Sequence, residues 1–157
     1  MGFFRDKTGK TYDELAIGEK AIFARRVTKQ DVLQYMGLSG DLNPLYADSA
    51  YAGRTRYDRP IVPANMLAGF AMGAVATALP GLGSLTHSHT YRLIRPAHVG
   101  DEIRAEMEIV EMKADRRHVV IRYKLQDQDG RDVLSGEMEV EPPAVLKPIL
   151  HHAYENF

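Results

Sequence analysis

The sequence predicts an α+β fold in which a curled antiparallel β-sheet wraps around one long apolar helix. Residues 65–78 are apolar nearly all round, which is typical of a helix that is buried on most of its faces. After Gly83 the period of the apolar residues changes to two, as expected of strands with one buried face, and this pattern continues to residue 141. One long helix followed by consecutive strands indicates a meander that packs on that helix.

Four strands are predicted after the helix, each bounded by residues that favour turns. The turns lie between Pro96 and Asp101, at Asp115-Arg116 and at the hairpin signal Asp129-Gly130. The strands that they delimit cover residues 84–95, 101–113, 117–127 and 132–141. Such a sheet covers only part of its helix and keeps an open edge, so we expect a homodimer or a dimer-based homo-oligomer.

Shorter elements precede the long helix. A turn at Gly18 leads into a short strand within residues 15–27. Thr28 is a predicted N-cap, with Asp31 at the capping-box position, and the helix that follows is expected to stop at Gly37. A loop and a short helical stretch around residues 48–53 complete this half of the chain.

Two glycines give the long helix a face without side chains. Gly69 and Gly73 lie four positions apart and therefore share one side of the helix. We expect this side to allow the close approach of the sheet, and Pro80-Gly81 to end the helix.

The composition is that of an ordinary globular domain. The length of 157 residues fits a single domain, with an expected core at about residues 15–142 and a tail at 143–157. The net charge is −1 without a basic block, which argues against nucleic acid as a partner, and the lack of cysteine excludes disulfides and a thiolate nucleophile. The most apolar stretch, Ile61 to Leu82, is interrupted by prolines and glycines and is a poor membrane span. The charged N-terminus lacks a signal core, so we expect a cytoplasmic protein with no membrane partner.

The loop Ser39-Gly40-Asp41-Leu42-Asn43-Pro44 is the most informative segment of the sequence. Pro44 restricts the residue before it, so Asp41 lies at a rigid bend between two helices, where a carboxylate can be aimed at a ligand. The residues alone allow two interpretations: Asp41 and Asn43 only cap turns, or Asp41 is a catalytic carboxylate.

This loop and several later segments resemble the MaoC-like family, which includes the (R)-specific enoyl-CoA hydratases. The matching motifs, in chain order, are Ser39-Gly40-Asp41 with Asn43-Pro44, Tyr51-Ala52 with Thr55 and Tyr57, Pro60-Ile61-Val62, the turn from Leu79 to Ser84, Arg95-Pro96 with Val99-Gly100-Asp101, Gly136 and Pro142. Each piece is weak alone, but all of them in this order are specific. The resemblance implies a single hot-dog domain, a role in fatty-acid metabolism, and an acyl thioester of coenzyme A or acyl-carrier protein as substrate.

The catalytic pair of the family is the Asp of the SGD motif and a His five positions later. Asp41 is present, whereas position 46 is Tyr46. A phenol, with a pKa of about 10, is a poor base but a competent hydrogen-bond donor. The resemblance implies that Asp41 transfers the proton, with Asn43 in the same motif. The chemistry of the phenol indicates that Tyr46 positions a water or an oxygen. Altered or lost hydratase activity is the alternative.

His87 and His89 are two positions apart in the first strand after the helix, so both are expected on one face, together with Tyr91. A histidine pair of this spacing can bind a metal, but no third ligand is evident, and we predict no metal site. In the family this strand passes close to the acyl pocket. His89 therefore either faces Asp41, or lies on an open or dimer-facing side of the strand. His98 is expected at the surface.

The start of the long helix has free backbone N–H groups, which suit a negatively charged oxygen. The resemblance places the thioester carbonyl there, with Ala64 and Asn65 as substrate-binding residues; Pro63 has no N–H to contribute. Arginines suit the phosphates of coenzyme A, and the candidates are Arg95 and the neighbouring Arg54, Arg56, Arg59 and Arg92. No cofactor is expected, because coenzyme A or the carrier protein is part of the substrate.

Three functions are consistent with these residues. The first is a hydratase or dehydratase that acts on a 2-enoyl- or 3-hydroxyacyl thioester, with Asp41 as general base and Tyr46 or His89 assisting. The second is a non-catalytic acyl-CoA-binding protein on the same fold. The third is a thioesterase, since other hot-dog proteins hydrolyse thioesters with a lone carboxylate.

Overall fold

The computed structural model describes residues 7–147. A 3₁₀ turn at Tyr12–Glu14 precedes β1 (Lys20–Arg26), α1 (Lys29–Ser39), α2 (Ser49–Ala52), α3 (Ala64–Thr77), β2 (Leu85–Leu93), β3 (Glu102–Lys113), β4 (His118–Gln126) and β5 (Asp132–Glu141). The long helix and the four strands after it are confirmed, with ends that differ from the prediction by at most two residues. Most of the predicted tail lies outside the described residues.

The five strands form one antiparallel sheet in the order β1-β3-β4-β5-β2, so β1 and β2 are its edge strands. Along each central strand, residues on the face toward α3 alternate with residues on the opposite face. The opposite face, which carries Arg122, Lys124, Glu137 and Glu139, is here called the outer face. The helix-facing rows are buried: Ile103, Ala105, Met107 and Ile109 of β3, Val119, Ile121, Tyr123 and Leu125 of β4, and Leu134, Met138 and Val140 of β5. The predicted α+β class is therefore confirmed.

The long helix α3 packs one of its sides on the sheet. Ala71 and Ala74 are fully buried in the core, and their small side chains let the helix lie close to the strands. The prediction that Gly69 and Gly73 form this contact is wrong, because both are exposed and nothing lies within 4 Å of a Cβ built on either. A helix that is apolar nearly all round does not define which side meets the sheet, and small residues occur on both sides. Within residues 7–147, no helix has the length and apolar character that crossing a bilayer requires.

The helix α1 begins as predicted and ends later than predicted. The Thr28 hydroxyl accepts the backbone N–H of Asp31 at 3.1 Å, and the Asp31 carboxylate accepts the N–H of Thr28 at 2.8 Å, which confirms the capping box. The helix does not stop at Gly37 but continues to Ser39. Gly40 ends it with a left-handed backbone (φ 72°), and its N–H donates to the carbonyl oxygen of Met36 at 2.9 Å.

Candidate active site

A compact turn after α1 positions Asp41. The Ser39 hydroxyl donates to the carbonyl oxygen of Tyr35 at 2.7 Å and accepts the N–H of Asp41 at 3.1 Å. The Asp41 carboxylate then accepts the N–H of Asn43 at 3.4 Å. A carboxylate has about four acceptor positions on its two oxygens, so Asp41 keeps capacity for a proton or a ligand.

Asn43 continues the turn and returns Tyr46 to Asp41. The side-chain oxygen of Asn43 accepts the N–H of Leu45 at 3.0 Å, and its carbonyl oxygen accepts the N–H of Tyr46 at 3.1 Å. The Tyr46 phenol interacts with the side chains of both Asn43 and Asp41. The three predicted catalytic residues therefore lie in one half-buried cluster.

The electrostatics of this cluster give different roles to the Tyr46 phenol and the Asp41 carboxyl group. Burial and the negative charge of Asp41 raise the pKa of Tyr46, and the hydrogen bond with Asn43 only partly offsets them. The phenol therefore keeps its proton at neutral pH, where it can donate a hydrogen bond but cannot act as a base. The Asp41 carboxylate is the group in the cluster that is suited to accept a proton.

The turn is connected to the start of α3 by the backbone. The N–H of Ile61 donates to the carbonyl oxygen of Leu45 at 3.0 Å. Three residues later α3 begins at Ala64, with Pro63 as its N-cap, and the first helical hydrogen bonds run to the Pro63 carbonyl oxygen. Among the described residues, the N–H groups of Ala64 and Asn65 have no acceptor, so they are available to an anionic oxygen.

A second polar cluster lies on the helix-facing side of β2. Nε2 of His89 is 2.7 Å from the Tyr123 hydroxyl, and the Tyr91 hydroxyl donates to the side-chain oxygen of Asn65 at the start of α3. The rings of His89 and Tyr91 are 5.4 Å apart. The structure thus brings His89 and Asn65 into one region through Tyr91. Within residues 7–147, no hydrogen bond joins His89 to Asp41.

Burial decides the protonation state of this second cluster. It lowers the pKa of His89, so the imidazole is neutral at neutral pH. Burial also raises the pKa of Tyr123, whose side chain is almost fully enclosed, so the phenol stays protonated. A neutral imidazole with one hydrogen bond to a phenol can offer a polar contact to a ligand, but it carries no charge.

The prediction that His87 and His89 share one face is wrong. The pairing of β2 with β5 shifts between Thr86 and Ser88, which places a bulge at His87. His89 pairs with Met138 in the helix-facing row, whereas the His87 ring lies 2.6 Å from the Glu141 carboxylate and 4.5 Å from the His118 ring, on the outer face. One extra residue in an edge strand therefore separates the two histidines across the sheet.

Comparison with known proteins was made on this fold and site. A family model described as a MaoC like domain matches residues 14–129. The chain belongs to the MaoC-like family. It is 33% identical to the (R)-specific enoyl-CoA hydratase of Aeromonas caviae over 129 residues, which cover 82% of this chain and 96% of that protein. A mitochondrial 3-hydroxyacyl-[acyl-carrier-protein] dehydratase of Solanum lycopersicum is 29% identical over 134 residues, covering 84% and 80% respectively.

A solved structure also resembles this MaoC-like chain. The unliganded (R)-hydratase of Pseudomonas aeruginosa superposes with a TM-score of 0.82 at 30% identity, over 91% of this chain and 97% of that one. The predicted family and the hot-dog fold are therefore confirmed. The named relatives support the predicted lyase class.

Two other residues of the MaoC-like chain lie outside the clusters described above. The side chain of Arg95 is exposed, and its backbone N–H donates to Val133 at 3.1 Å, so it lies at the surface where β2 ends. The exposed position expected for His98 is wrong. His98 is half-buried, with Nδ1 3.1 Å from the Pro60 carbonyl oxygen and its backbone N–H bonded to Asp101 at 2.9 Å. His98 therefore connects the turn at Pro60, just before α3, to the turn at Asp101.

Tyr123 and Gly136 belong to the second polar cluster, although the residue patterns indicated no role for Tyr123 and only a motif match for Gly136. Tyr123 occupies a helix-facing position in β4, and Gly136 is its partner on β5. A Cβ at position 136 would lie 2.7 Å from the Tyr123 hydroxyl and 2.5 Å from the Thr90 carbonyl oxygen. Gly136 therefore makes the space that Tyr123 needs to reach His89. A tyrosine in the otherwise aliphatic buried row of β4 was the signal that could have identified it.

Proposed function

We propose that the protein is a hydratase or dehydratase of acyl thioesters, acting between a 2-enoyl and a 3-hydroxyacyl thioester. The observation that carries this proposal is the cluster of Asp41, Asn43 and Tyr46, in which a carboxylate lies beside a phenol that keeps its proton. The named relatives, which include a CoA hydratase and a carrier-protein dehydratase, support the same chemistry.

In the hydration direction, Asp41 acts as the general base. It takes a proton from a water molecule, whose oxygen forms a bond to C3 of the enoyl group while the C2=C3 double bond breaks. The electron pair moves onto the thioester oxygen as an enolate. The enolate then collapses as Asp41 returns the proton to C2, so the carboxylate is regenerated and one water is added. Dehydration is the reverse sequence.

The remaining residues hold the reacting groups. The Tyr46 hydroxyl orients the water or a substrate oxygen by donating a hydrogen bond, and Asn43 maintains the turn. The free N–H groups of Ala64 and Asn65 stabilise the enolate oxygen, a role that a positive helix start performs well. His89 contributes a neutral polar contact near the thioester. The exposed Arg95 offers its guanidinium to a phosphate of coenzyme A. We place the protein in the cytoplasm, with no nucleic-acid or membrane partner and no cofactor beyond the carrier of the acyl group.

The lack of cysteine makes one assay with crotonyl-CoA decisive among the three functions. Loss of the enoyl-thioester absorbance reports hydration, and a thiol reagent reports hydrolysis, because the chain contributes no thiol of its own. We expect loss of absorbance without release of thiol. Thiol release would instead identify a thioesterase. Binding by calorimetry without either signal would identify an acyl-CoA-binding protein.

The variant Asp41→Asn tests the assigned base. It keeps the shape of the side chain and removes the proton acceptor, so turnover should fall by about 10²-fold or more. Circular dichroism should show an unchanged fold. Turnover equal to that of the wild type would show that Asp41 only shapes the turn, and would place the base elsewhere.

A further inference from the structure

The outer face of the sheet carries a cluster of three metal-ligating side chains at one end. His87 comes from the bulge of β2, His118 from the first position of β4 and Glu141 from the last position of β5. Nε2 of His87 is 2.6 Å from the Glu141 carboxylate, and Nε2 of His118 is 3.9 Å from the same oxygen. One ligand atom from each of the three residues lies within 4.8 Å of the others.

We infer that His87, His118 and Glu141 form a binding site for a divalent transition metal, with Zn²⁺ as the best match and water as the fourth ligand. Two imidazoles and one carboxylate are a ligand set that Zn²⁺ favours. The site is separate from the proposed active site, because these side chains lie on the outer face while His89 and Asn65 lie on the helix-facing side.

The geometry requires only small adjustments to hold the ion. Tetrahedral Zn²⁺ with bonds of about 2.0–2.1 Å separates its ligand atoms by about 3.3 Å. The contact of 2.6 Å between His87 and Glu141 must therefore open by about 0.7 Å, and His118, at 3.9 Å, must move toward Glu141 by about 0.6 Å. The side chains of His87 and Glu141 are 43% and 51% exposed, so both have room to move.

A neighbouring carboxylate orients His118 for this role. Nδ1 of His118 lies 2.8 Å from the Glu139 carboxylate, so Nε2 is the ring nitrogen directed toward Glu141, at 3.9 Å. Histidine ligands of metals commonly donate their second N–H to a carboxylate in this manner. Glu139 also accepts a hydrogen bond from the Lys113 ammonium at 2.5 Å, which holds its carboxylate beside His118.

The surrounding charges moderate the affinity without removing the site. Lys113 lies 2.5 Å and Arg116 lies 3.4 Å from Glu139, so both cations pair with the orienting carboxylate and not with the ligand Glu141. The ligand set itself then carries one negative charge, from Glu141. A bound ion would join β2, an edge strand, to β4 and β5, and by binding the folded chain alone it would stabilise the fold.

Calorimetric titration of the metal-free full-length protein with zinc chloride tests the site. His151 and His152 lie outside the described residues, and any histidine can ligate a metal ion. The titration therefore includes the double variant His151→Ala/His152→Ala as a matched control. We expect one ion per chain in the wild type and in this control. His87→Ala and Glu141→Gln should each weaken binding by at least about tenfold, and Glu139→Gln by about 10- to 100-fold.

A second measurement guards against a change in fold. Thermal unfolding without metal should be similar in wild type, His87→Ala and Glu141→Gln, because both positions are largely exposed. Co²⁺ should give the intense visible absorption of a tetrahedral site in wild type and in the tail control only. Absence of saturable zinc binding would overturn the inference and leave two surface histidine–carboxylate pairs. Binding that persists in His87→Ala but disappears in the tail variant would also overturn it.

Discussion

At position 46 a phenol lies beside the carboxylate of Asp41. The raised pKa of Tyr46 removes the possibility that it works as a base at neutral pH, and leaves a donor held by burial and by Asn43. Ketosteroid isomerase, which uses a tyrosine donor and a carboxylate base in its carbonyl chemistry, shows that such a combination is chemically competent. We therefore interpret the cluster as a site in which Tyr46 works as a hydrogen-bond donor, and not as a decayed site that has lost its histidine.

Two substitutions at Tyr46 test this interpretation. Tyr46→Phe deletes only the hydroxyl, and the lost hydrogen bond should cost roughly 1–3 kcal/mol, which is about 5- to 150-fold in kcat/KM. Tyr46→His should not raise hydration of crotonyl-CoA and should harm the native activity. A gain in hydration with Tyr46→His would show instead that the tyrosine marks a decayed site. Equal rates in all three proteins would exclude both interpretations, and His89 would be examined next.

His89 gives the fold a dependence on pH. Burial lowers its pKa in the folded chain, so as the pH falls below about 6.5 the unfolded chain takes up the proton first. Acid therefore favours unfolding through this residue, and its contribution to stability is complete only above that pH.

The expected result is a midpoint of thermal unfolding that falls between pH 7.5 and 5.5, with a shallower fall in His89→Gln. Thr90→Ser is the matched control, because it changes an exposed side chain of the same strand that does not titrate and should keep the slope of the wild type. An identical slope in wild type and His89→Gln would contradict the assignment.

At the scale of elements, the contact of β2, β4 and β5 depends on the lack of a side chain at Gly136. Gly136 lies between the Thr90 backbone and the Tyr123 hydroxyl, and backbone atoms cannot move aside as a flexible side chain does. Gly136→Ala should therefore destabilise the protein by roughly 1–3 kcal/mol through overpacking.

Urea denaturation measures this effect, with Gly37→Ala as the control. Gly37 lies inside α1, is exposed, and has nothing within 4 Å of its Cβ position. The same added methyl group should there stabilise the protein by about 0.5–1 kcal/mol, because alanine favours a helix over glycine. A Gly136→Ala protein as stable as the wild type would show that the neighbouring strands can separate enough at this point to accommodate a methyl group.

For the whole molecule, exposed apolar residues coincide with an open sheet edge. The edge strand β2 and the residue after it expose Tyr91, Leu93 and Ile94, and the outward side of α3 exposes Met72 beside Gly69. The three residues at β2 lie next to unpaired strand backbone, which is the kind of surface that a second copy of the chain covers.

We expect light scattering at micromolar concentration to give twice the chain mass of 17.6 kDa. Leu93→Lys should shift the protein toward the monomer, since a charge would be buried in the interface. Ile17→Lys is the matched control, because Ile17 is 65% exposed and precedes the other edge strand. A monomeric wild type would contradict the prediction, and dissociation by Ile17→Lys alone would move the interface to β1.

Local patterns predicted the elements well, and non-local contacts explain the failures. The capping box at Thr28 and the alternation along β3 to β5 are short-range features, so they can be identified in the sequence. The bulge at His87 depends on how β2 pairs with β5, which no spacing within β2 reveals. The late end of α1 is an exception, because Gly37 and Gly40 can both end a helix and the bonds that Ser39 makes beside Gly40 are short-range.

The bonds that shape the bend at Asp41 all join residues that are at most four positions apart in the chain. Geometry of this kind travels with the peptide and not with the scaffold around it. Residues 35–46 therefore form a segment whose own bonds keep a carboxylate and its neighbouring hydroxyl together, while its packing on the core and the bond from Ile61 to Leu45 fix where it lies. Under the proposed function, substitutions in the sheet can therefore change which acyl group binds while the proposed base keeps its position.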